Sequence, residues 1–317
     1  GSRRGFWSRP LRTSAMRKPG QDPQRSRLVI IQPTTFCNID CKYCYLPSRS
    51  NVAKMERGTL IEIFKGVLGS ALIKDPIEFV WHAGEPLTLP ISFYEDAFEI
   101  AGGFNVAHVR EYNHAIQTNG TLINRDWTSL FKQHAVQIGV SLDGPEFIHD
   151  RNRVSRSGHG THAKVMNGVR LLQEAEIQCG VIAVLTDYSL DFPDEMFHFY
   201  VENGLRRIAF NIDEQEGVNK ISSYSGSEAR SAARYREFMY RFAQLVRGCA
   251  QKVAVREFRG LLGLLSNSDD IRTMHSCNVP LEILNFDYRG NFSTFCPELI
   301  GHSAPKYGNF VMGNILT

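Results

Sequence analysis

The stretch "LVIIQPTTFCNIDCKYCYLP", residues 28–47, joins an apolar run of strand length to a polar loop holding three cysteines. The continuous Leu-Val-Ile-Ile lacks the in–out alternation of a half-buried strand. It reads as a strand covered on both faces, the pattern of a parallel sheet under helices. A loop directly after such a strand lies at its C-terminal end, where β/α folds place their chemistry. Cys37, Cys41 and Cys44 sit within eight residues of that loop. Thiolates at close spacing are ligands for soft metals. Structural zinc takes four protein ligands, and no His near Cys44 completes a set. An iron–sulfur cubane also takes four. Three ligands leave one iron open, and an open metal position is what catalysis needs.

Working outward, strand-length runs alternate with helical patterns. Strands are expected at 27–33, 77–82, 113–118, 136–143, 178–186 and 206–212. Helices are expected at 59–72, 91–103, 124–134 (with Asn124 as cap), 161–175, 191–204 and about 226–250. Six β-then-α units predict an α/β fold, a partial (β/α)6 TIM barrel rather than the closed eight-unit form. The polar signatures fall at successive strand ends. The cysteines follow the first strand, "HAGEP" (82–86) the second and "QTNG" (117–120) the third; "SLDGP" (141–145) closes the fourth, and "NIDEQEG" (211–217) follows the sixth. They face one mouth.

Composition narrows the function classes. The chain has 317 residues, is 43% hydrophobic and carries a net charge of +3, so nothing demands nucleic acid or a membrane surface. Residues 1–26 are basic, with Gly, Pro and Ser and no apolar periodicity, and read as a flexible arm. No apolar run reaches membrane-span length and no signal peptide is visible. Seven cysteines, an odd number in a chain of this size, favour metal or catalytic use in a reducing cytoplasm.

The C-x3-C-x2-C loop after the first strand, with Tyr43 just before the last cysteine, resembles the signature of the radical S-adenosylmethionine (SAM) superfamily. The resemblance implies a [4Fe–4S] cluster held by Cys37, Cys41 and Cys44, with SAM on the open iron. It implies reductive cleavage of SAM to a 5′-deoxyadenosyl radical that abstracts hydrogen from an unactivated C–H bond. "HAGEP" resembles the superfamily's GGEP motif, with Ala83 for the first glycine, followed by Gly84 and Glu85. By the same resemblance Ser141 and Asp143 bind SAM, and Gln117 and Asn119 reach the mouth. Turn formation at Asp143-Gly144-Pro145 and helix capping by Asn119 are the plainer readings of the same residues. In "HDRNRVSRSGHGTH" (149–162), Arg153 is the candidate for the SAM carboxylate, Arg being the bidentate partner such a group wants. Arg151 and Arg156 read as solvated or substrate-facing, and His149, His159 and His162 as loop surface rather than a metal cluster.

The character changes near residue 270. Cys277, a hairpin turn at Arg289-Gly290-Asn291, Cys296 and "GNFVMGNIL" (308–316) resemble the opening of a SPASM or twitch module, which carries auxiliary iron–sulfur clusters. The expected organisation is therefore a barrel over 27–250, then a connecting helix and auxiliary module over 251–317. A full module needs more ligands downstream, so the expectation is a truncated sequence or a reduced module. The longer matches at 28–50, 141–162 and 191–219 resemble the GrrM/OscB-type maturases, which build cyclophane crosslinks in ribosomally made peptides. This resemblance implies a C–C bond between an aromatic ring and the β-carbon of another residue. It also implies a ribosomal precursor peptide, a flavodoxin- or ferredoxin-type one-electron donor, and one or more auxiliary clusters. Sulfatase maturases and thioether-forming enzymes share the "SLDGP…HD..R" pattern and stand as alternatives, with a non-catalytic regulator behind them. Rearomatisation needs a base, and Asp213 or Glu214 past the sixth strand is the candidate. Cys179 and Cys249 read as packing residues.

Overall fold

A computed structural model describes residues 26–105, 110–259, 281–294, 296–306 and 308–317. The basic arm up to residue 25, and Cys277, lie outside the described residues. Six strands stand side by side in chain order, every neighbouring pair parallel: β1 (Ser26–Ile31), β2 (Ile73–Trp81), β3 (Tyr112–Thr118), β4 (Gln137–Ser141), β5 (Cys179–Leu185) and β6 (Arg207–Ile212). The crossovers carry α1 (Arg57–Gly69), α2 (Ile91–Phe104), α3 (Arg125–Gln133), α4 (Glu146–Asn152), α5 (His162–Glu174) and α6 (Pro193–Glu202), and α7 (Glu228–Gly248) follows β6. This is the partial (β/α)6 barrel expected from the strand-and-helix alternation. Each expected strand and helix boundary lies within a few residues of its observed one.

The helices form where apolar residues recur at helical spacing. In α1, Leu60, Ile63, Phe64 and Val67 share one buried face that packs on the sheet. Each such burial stabilises by about 1.5–3 kcal/mol. Asn124 caps α3 as expected, its side chain accepting from the Trp127 N–H at 2.9 Å. Helix α6 begins at Pro193 and gives way to Gly204, which holds the left-handed φ of +71° that a chain reversal needs.

At the far edge a short strand, β7 (Ala254–Val255), pairs in parallel with β6. At the near edge β8 (Ile283–Phe286) pairs in parallel with β1, and β9 (Asn291–Ser293) folds back on it. The turn is the one expected at Gly290. Asp287 Oδ1 accepts from the Arg289 and Asn291 N–H groups, and Gly290 takes φ +82°. Two short strands, β10 (Ser303–Ala304) and β11 (Gly308–Asn309), pair separately, and β12 (Gly313–Asn314) closes on β9. The C-terminal hairpin therefore continues the barrel sheet edge to edge. This positions Cys296, just beyond β9, beside the cysteine loop that follows β1. No helix among the described residues is long and apolar enough to cross a membrane.

One core position runs against its surroundings. His114 of β3 is buried among Phe64, Phe79, Trp81 and Phe98, with ring centroids 4.5–6.2 Å away. Neither ring nitrogen has a hydrogen-bond partner. Burial, reinforced by His134, pushes its pKa down to about 3. Between the ordinary value of 6.5 and about 3 the unfolded chain binds the proton and the native state does not. Stability contributed here is present above that window and lost as pH falls through it, at about 1.4 kcal/mol per pH unit. We predict that His114→Phe flattens this acid loss and raises the melting temperature by a few degrees, because it removes two unsatisfied polar atoms. Thermal unfolding from neutral to acid pH measures both.

Candidate functional site

The cysteine loop is held by hydrogen bonds from three neighbouring strand-end segments. From β2, the Glu85 N–H donates to the Phe36 carbonyl at 2.7 Å. Gly84, at φ +58°, lies so close beneath that a Cβ there would stand 2.5 Å from the same oxygen, so only glycine fits. Ala83 also takes a positive φ, +73°, where the superfamily motif it resembles has glycine. From β3, Asn119 Nδ2 donates to Asn38 Oδ1 at 2.8 Å and lies 3.8 Å from Cys37 Sγ. Its Oδ1 accepts from the Thr121 N–H and hydroxyl at 3.0 and 2.7 Å. Asn119 thus builds the turn and touches the thiol, while Asn124 caps the helix.

The third segment follows α4. The Asp40 and Lys42 N–H groups donate to the Val154 and Asn152 carbonyls at 2.7 and 3.0 Å. Arg156 Nε and Nη2 both donate to the Cys37 carbonyl, at 2.9 and 2.7 Å, and its guanidinium lies over the Phe36 ring. Arg156 is exposed, in keeping with its reading as solvated, and its planar fork also clamps the loop. The signal was unreadable in sequence because the contact spans more than a hundred residues.

A buried network lies under the loop. Asp143 is 1% exposed. Its Oδ1 accepts from Arg153 Nε and the Val184 N–H, both at 3.0 Å, and its Oδ2 accepts from the Tyr43 hydroxyl. Arg153 then points Nη1 to within 3.9 Å of Cys41 Sγ. His149 is fully buried on α4, correcting its reading as loop surface. Burial holds it neutral, its pKa well below the usual range, with Arg153 adding to the effect. Its Nδ1 accepts from the Asp143 N–H at 3.3 Å, which leaves Nε2–H to donate to Thr161 Oγ1 at 3.0 Å. The Thr161 hydroxyl in turn donates a hydrogen bond to the Arg153 carbonyl at 2.7 Å. The chain of bonds orients Asp143 and Arg153 together.

Glu85 is satisfied within the protein, by the Leu87 N–H at 3.0 Å, the Thr118 hydroxyl at 2.6 Å and the Asn119 N–H at 2.7 Å. Burial nonetheless pushes it up to about 7, against those three bonds. Gln117 Nε2 donates to Ser141 Oγ at 3.0 Å, tying β3 to β4 at the mouth. Burial pushes the Cys37 thiol up to about 12, with Glu85 and the other two cysteines adding, and Cys41 up to about 11. Bare thiols are neutral here, and a coordinated metal deprotonates them outright. Among the described residues no three His, Cys, Asp or Glu converge on a single-ion site. The thiols of a cubane bind different irons and stand farther apart than the ligands of one ion. Three mutually interacting thiols at one mouth fit three corners of such a cluster.

Cys296 belongs to the same neighbourhood. Its Sγ lies 2.6 Å from Glu298 Oε2, and Gln32 Nε2, at the end of β1, donates to the Pro297 carbonyl at 2.7 Å. Burial raises the Tyr45 phenol well above its ordinary pKa, and Glu298, Cys44 and Cys296 add to the shift, so Tyr45 lies near both Cys44 and Cys296. Cys37, Cys41, Cys44, Cys179 and Cys249 are free thiols.

Above the loop opens a cavity of about 520 Å³. Lys42, Tyr43, Arg151, Tyr188 and Asp213 are among the residues that line it. Asp213 is 6% exposed, with Oδ1 accepting from Asn219 Nδ2 at 2.9 Å and Oδ2 from the Ser223 N–H at 2.7 Å. Glu214 is exposed and does not line the cavity.

Comparison with known proteins identifies the family. The Radical SAM superfamily model matches residues 31–200, more than half of the chain. The chain belongs to the radical SAM superfamily. The superfamily binds a [4Fe–4S] cluster and SAM, so the cofactors expected from the cysteine spacing stand. The chain is 42% identical over 296 residues to an uncharacterized protein of Synechocystis sp., covering 92% of this chain and 73% of that protein. It is 31% identical over 216 residues to the serine-type anaerobic sulfatase-maturating enzyme of Bacteroides thetaiotaomicron, covering 64% of this chain and 52% of the enzyme. The chain thus spans about half the length of the sulfatase-maturating relatives it matches. In fold it is similar to anSMEcpe with bound AdoMet, with a TM-score of 0.78 at 22% identity over 92% of this chain and 75% of that one. SuiB of Streptococcus suis, solved bound to precursor peptide SuiA, gives a TM-score of 0.63 at 15% identity over 92% of this chain and 64% of its own.

The network makes a sharp energetic expectation. Asp143→Asn strands the buried Arg153 charge and should cost about 3–5 kcal/mol. Tyr43→Phe leaves one Asp143 oxygen short of a donor and should cost about 1–3 kcal/mol. Denaturant unfolding of the two variants beside wild type reads the difference. Equal costs would mean that the ion pair is not what holds the segment after α4.

Proposed function

We propose that this radical SAM enzyme is a peptide maturase. In this reading it forms a C–C cyclophane crosslink between an aromatic side chain and the β-carbon of another residue in a ribosomally made precursor. It works in a reducing cytoplasm with a flavodoxin- or ferredoxin-type donor. Cys37, Cys41 and Cys44 would hold the cluster, and the groups around Asp143 and Arg153 would line the SAM pocket. Cys296, with Cys277, would contribute to an auxiliary cluster in the segment after residue 250. The observation that carries the reading is the cavity: a buried carboxylate, Asp213, and the cysteine loop's Tyr43 line one space at the barrel mouth. Its volume suits a few side chains of an extended peptide.

When bound, cluster and SAM supply the radical that takes one hydrogen from the β-carbon, releasing 5′-deoxyadenosine. The new carbon radical joins the ring, and the ring must then lose one proton and one electron. In this reading Asp213 accepts the proton. Its carboxylate is fixed by Asn219 and Ser223 and faces the cavity, whereas Glu214 is exposed. The auxiliary cluster would accept the electron. The Val218 N–H donates to the Tyr45 carbonyl at 3.1 Å and ties the loop at 211–223 to the cysteine loop.

Formylglycine formation is the second reading, and the 31% identity to a serine-type sulfatase-maturating enzyme favours it. The test is anaerobic reconstitution with iron and sulfide, reduction with dithionite, and assay with candidate precursor peptides. Wild type should form 5′-deoxyadenosine and Cys37→Ala none. Asp213→Asn should lower crosslinked product about a hundredfold or more relative to 5′-deoxyadenosine formed. Tandem mass spectra separate the two products: a ring suppresses backbone cleavage between the joined residues, whereas formylglycine reacts with a hydrazide. A hydrazide-reactive product without a ring would replace the first reading by the second.

A further inference from the structure

The charges around the cavity are unequally satisfied. Asp187 and Asp191 are both paired with Arg234, whose Nη2 also donates to the Asp187 carbonyl at 2.7 Å. Asp213 is met by neutral donors from Asn219 and Ser223. Each acid that lines the cavity therefore has its partners within the protein. Lys42 and Arg151 line the same cavity, and both are exposed. The Lys42 N–H donates to the Asn152 carbonyl at 3.0 Å, which brings the two cations to neighbouring backbone positions although they are far apart in sequence. Among the described residues, neither cationic head has a carboxylate or a hydrogen-bond acceptor. Arg151 instead stands over the Tyr188 ring, its Cζ 4.2 Å from the centroid. One guanidinium face is thus occupied, and the fork of N–H groups along its edge is free.

A cation stacked on an aromatic ring has lost part of its conformational freedom without using its hydrogen bonds. Arg151 held in this way, with Lys42 beside it and no internal acid to neutralise either, is suited to an anion from outside. A planar carboxylate matches the Arg fork, with Lys42 as a second point charge.

We propose that Lys42 and Arg151 form a seat for a carboxylate of the peptide that enters this cavity. The inference rests on the reading of the protein as a peptide-modifying enzyme and names a recognition element of its substrate. The acid is a side-chain carboxylate, Asp or Glu, near the modified residue, or the peptide's own C-terminal carboxylate. Tyr188 is a positioning residue that holds Arg151 in place. A basic residue at the same position of the peptide is repelled.

The probe is a pool of synthetic peptides randomised at every internal position, incubated with the reconstituted protein. Retained peptides are sequenced by mass spectrometry. One pool carries an amidated C-terminus and the other a free one. Wild type should enrich Asp and Glu over Asn and Gln by about tenfold in the amidated pool, or enrich free over amidated ends by a similar factor if the terminus is the ligand. The enrichment should shrink as salt rises. It should vanish in a Lys42→Gln/Arg151→Gln protein and survive in Lys42→Arg/Arg151→Lys, which keeps both charges and controls for misfolding. Tyr188→Leu should weaken it without abolishing it. Retention of peptides with no preference for acids or free ends would overturn the seat and leave the peptide reading standing. So would a preference that persists in the double Gln variant. Retention of no peptides at all, by a protein that still cleaves SAM, would overturn both.

Discussion

The ion pair between Asp143 and Arg153 is the constraint on which the mouth depends. Both groups are nearly excluded from water, so neither charge survives there alone. Asp143 satisfies Arg153, the Val184 N–H and Tyr43 at once. It thereby ties the ends of β4 and β5 to the cysteine loop and to the segment after α4. His149 and Thr161 fix the same pair from behind. A network of this kind rigidifies only if every member is satisfied, and here each has its partner. The cysteine loop, which has no regular secondary structure of its own, inherits its shape from these bonds.

That dependence explains why the loop tolerates its own composition. Eight residues with three thiols and no core-forming run cannot fold by burial of apolar surface. Their backbone groups are instead paired with strand-end segments: Phe36 with Glu85, Asp40 with Val154, Lys42 with Asn152 and the Cys37 carbonyl with Arg156. The barrel supplies the partners because parallel strands bring all their C-terminal loops to one end. The C-terminal hairpin extends the arrangement. Pairing of β8 with β1 carries the chain back to the loop that follows β1, and Cys296 arrives beside Tyr45 and Cys44.

The mouth also divides its charges by function. Acids that line the cavity have their partners within the protein, Arg234 for Asp187 and Asp191 and neutral donors for Asp213. Lys42 and Arg151 on the cavity wall have no internal carboxylate, and Arg151 stands over the Tyr188 ring. A cation held by an aromatic ring rather than by a carboxylate keeps its charge available to a ligand. Superfamily membership accounts for the cluster and SAM, and says nothing of this wall.

Much of the fold was legible in the sequence. The apolar runs of β1 to β6 and the helical spacing of α1, α2 and α5 to α7 follow directly from local periodicity, as does the cap at Asn124. The thiol loop was legible because its ligands are adjacent in the chain. The turn at Gly290 was legible because a left-handed residue there calls for glycine. Other features were decided by tertiary structure alone. Helix α4 carries no apolar period, and it exists because His149 and Ile148 are buried beneath the mouth. The roles of Arg156 and His149 depend on partners contributed by distant segments, and the sequence marks them only as polar residues in a polar stretch. The parallel pairing of β8 with β1 joins ends of the chain more than two hundred residues apart, which no local pattern encodes. The sequence by itself determined which segments become strands and helices, and where three thiols cluster, because those properties depend on neighbours within a few residues. Which polar groups are buried, which charges are paired and which are left facing the cavity were decided only when the strand ends met at one mouth, since burial and pairing depend on what the folded chain brings together.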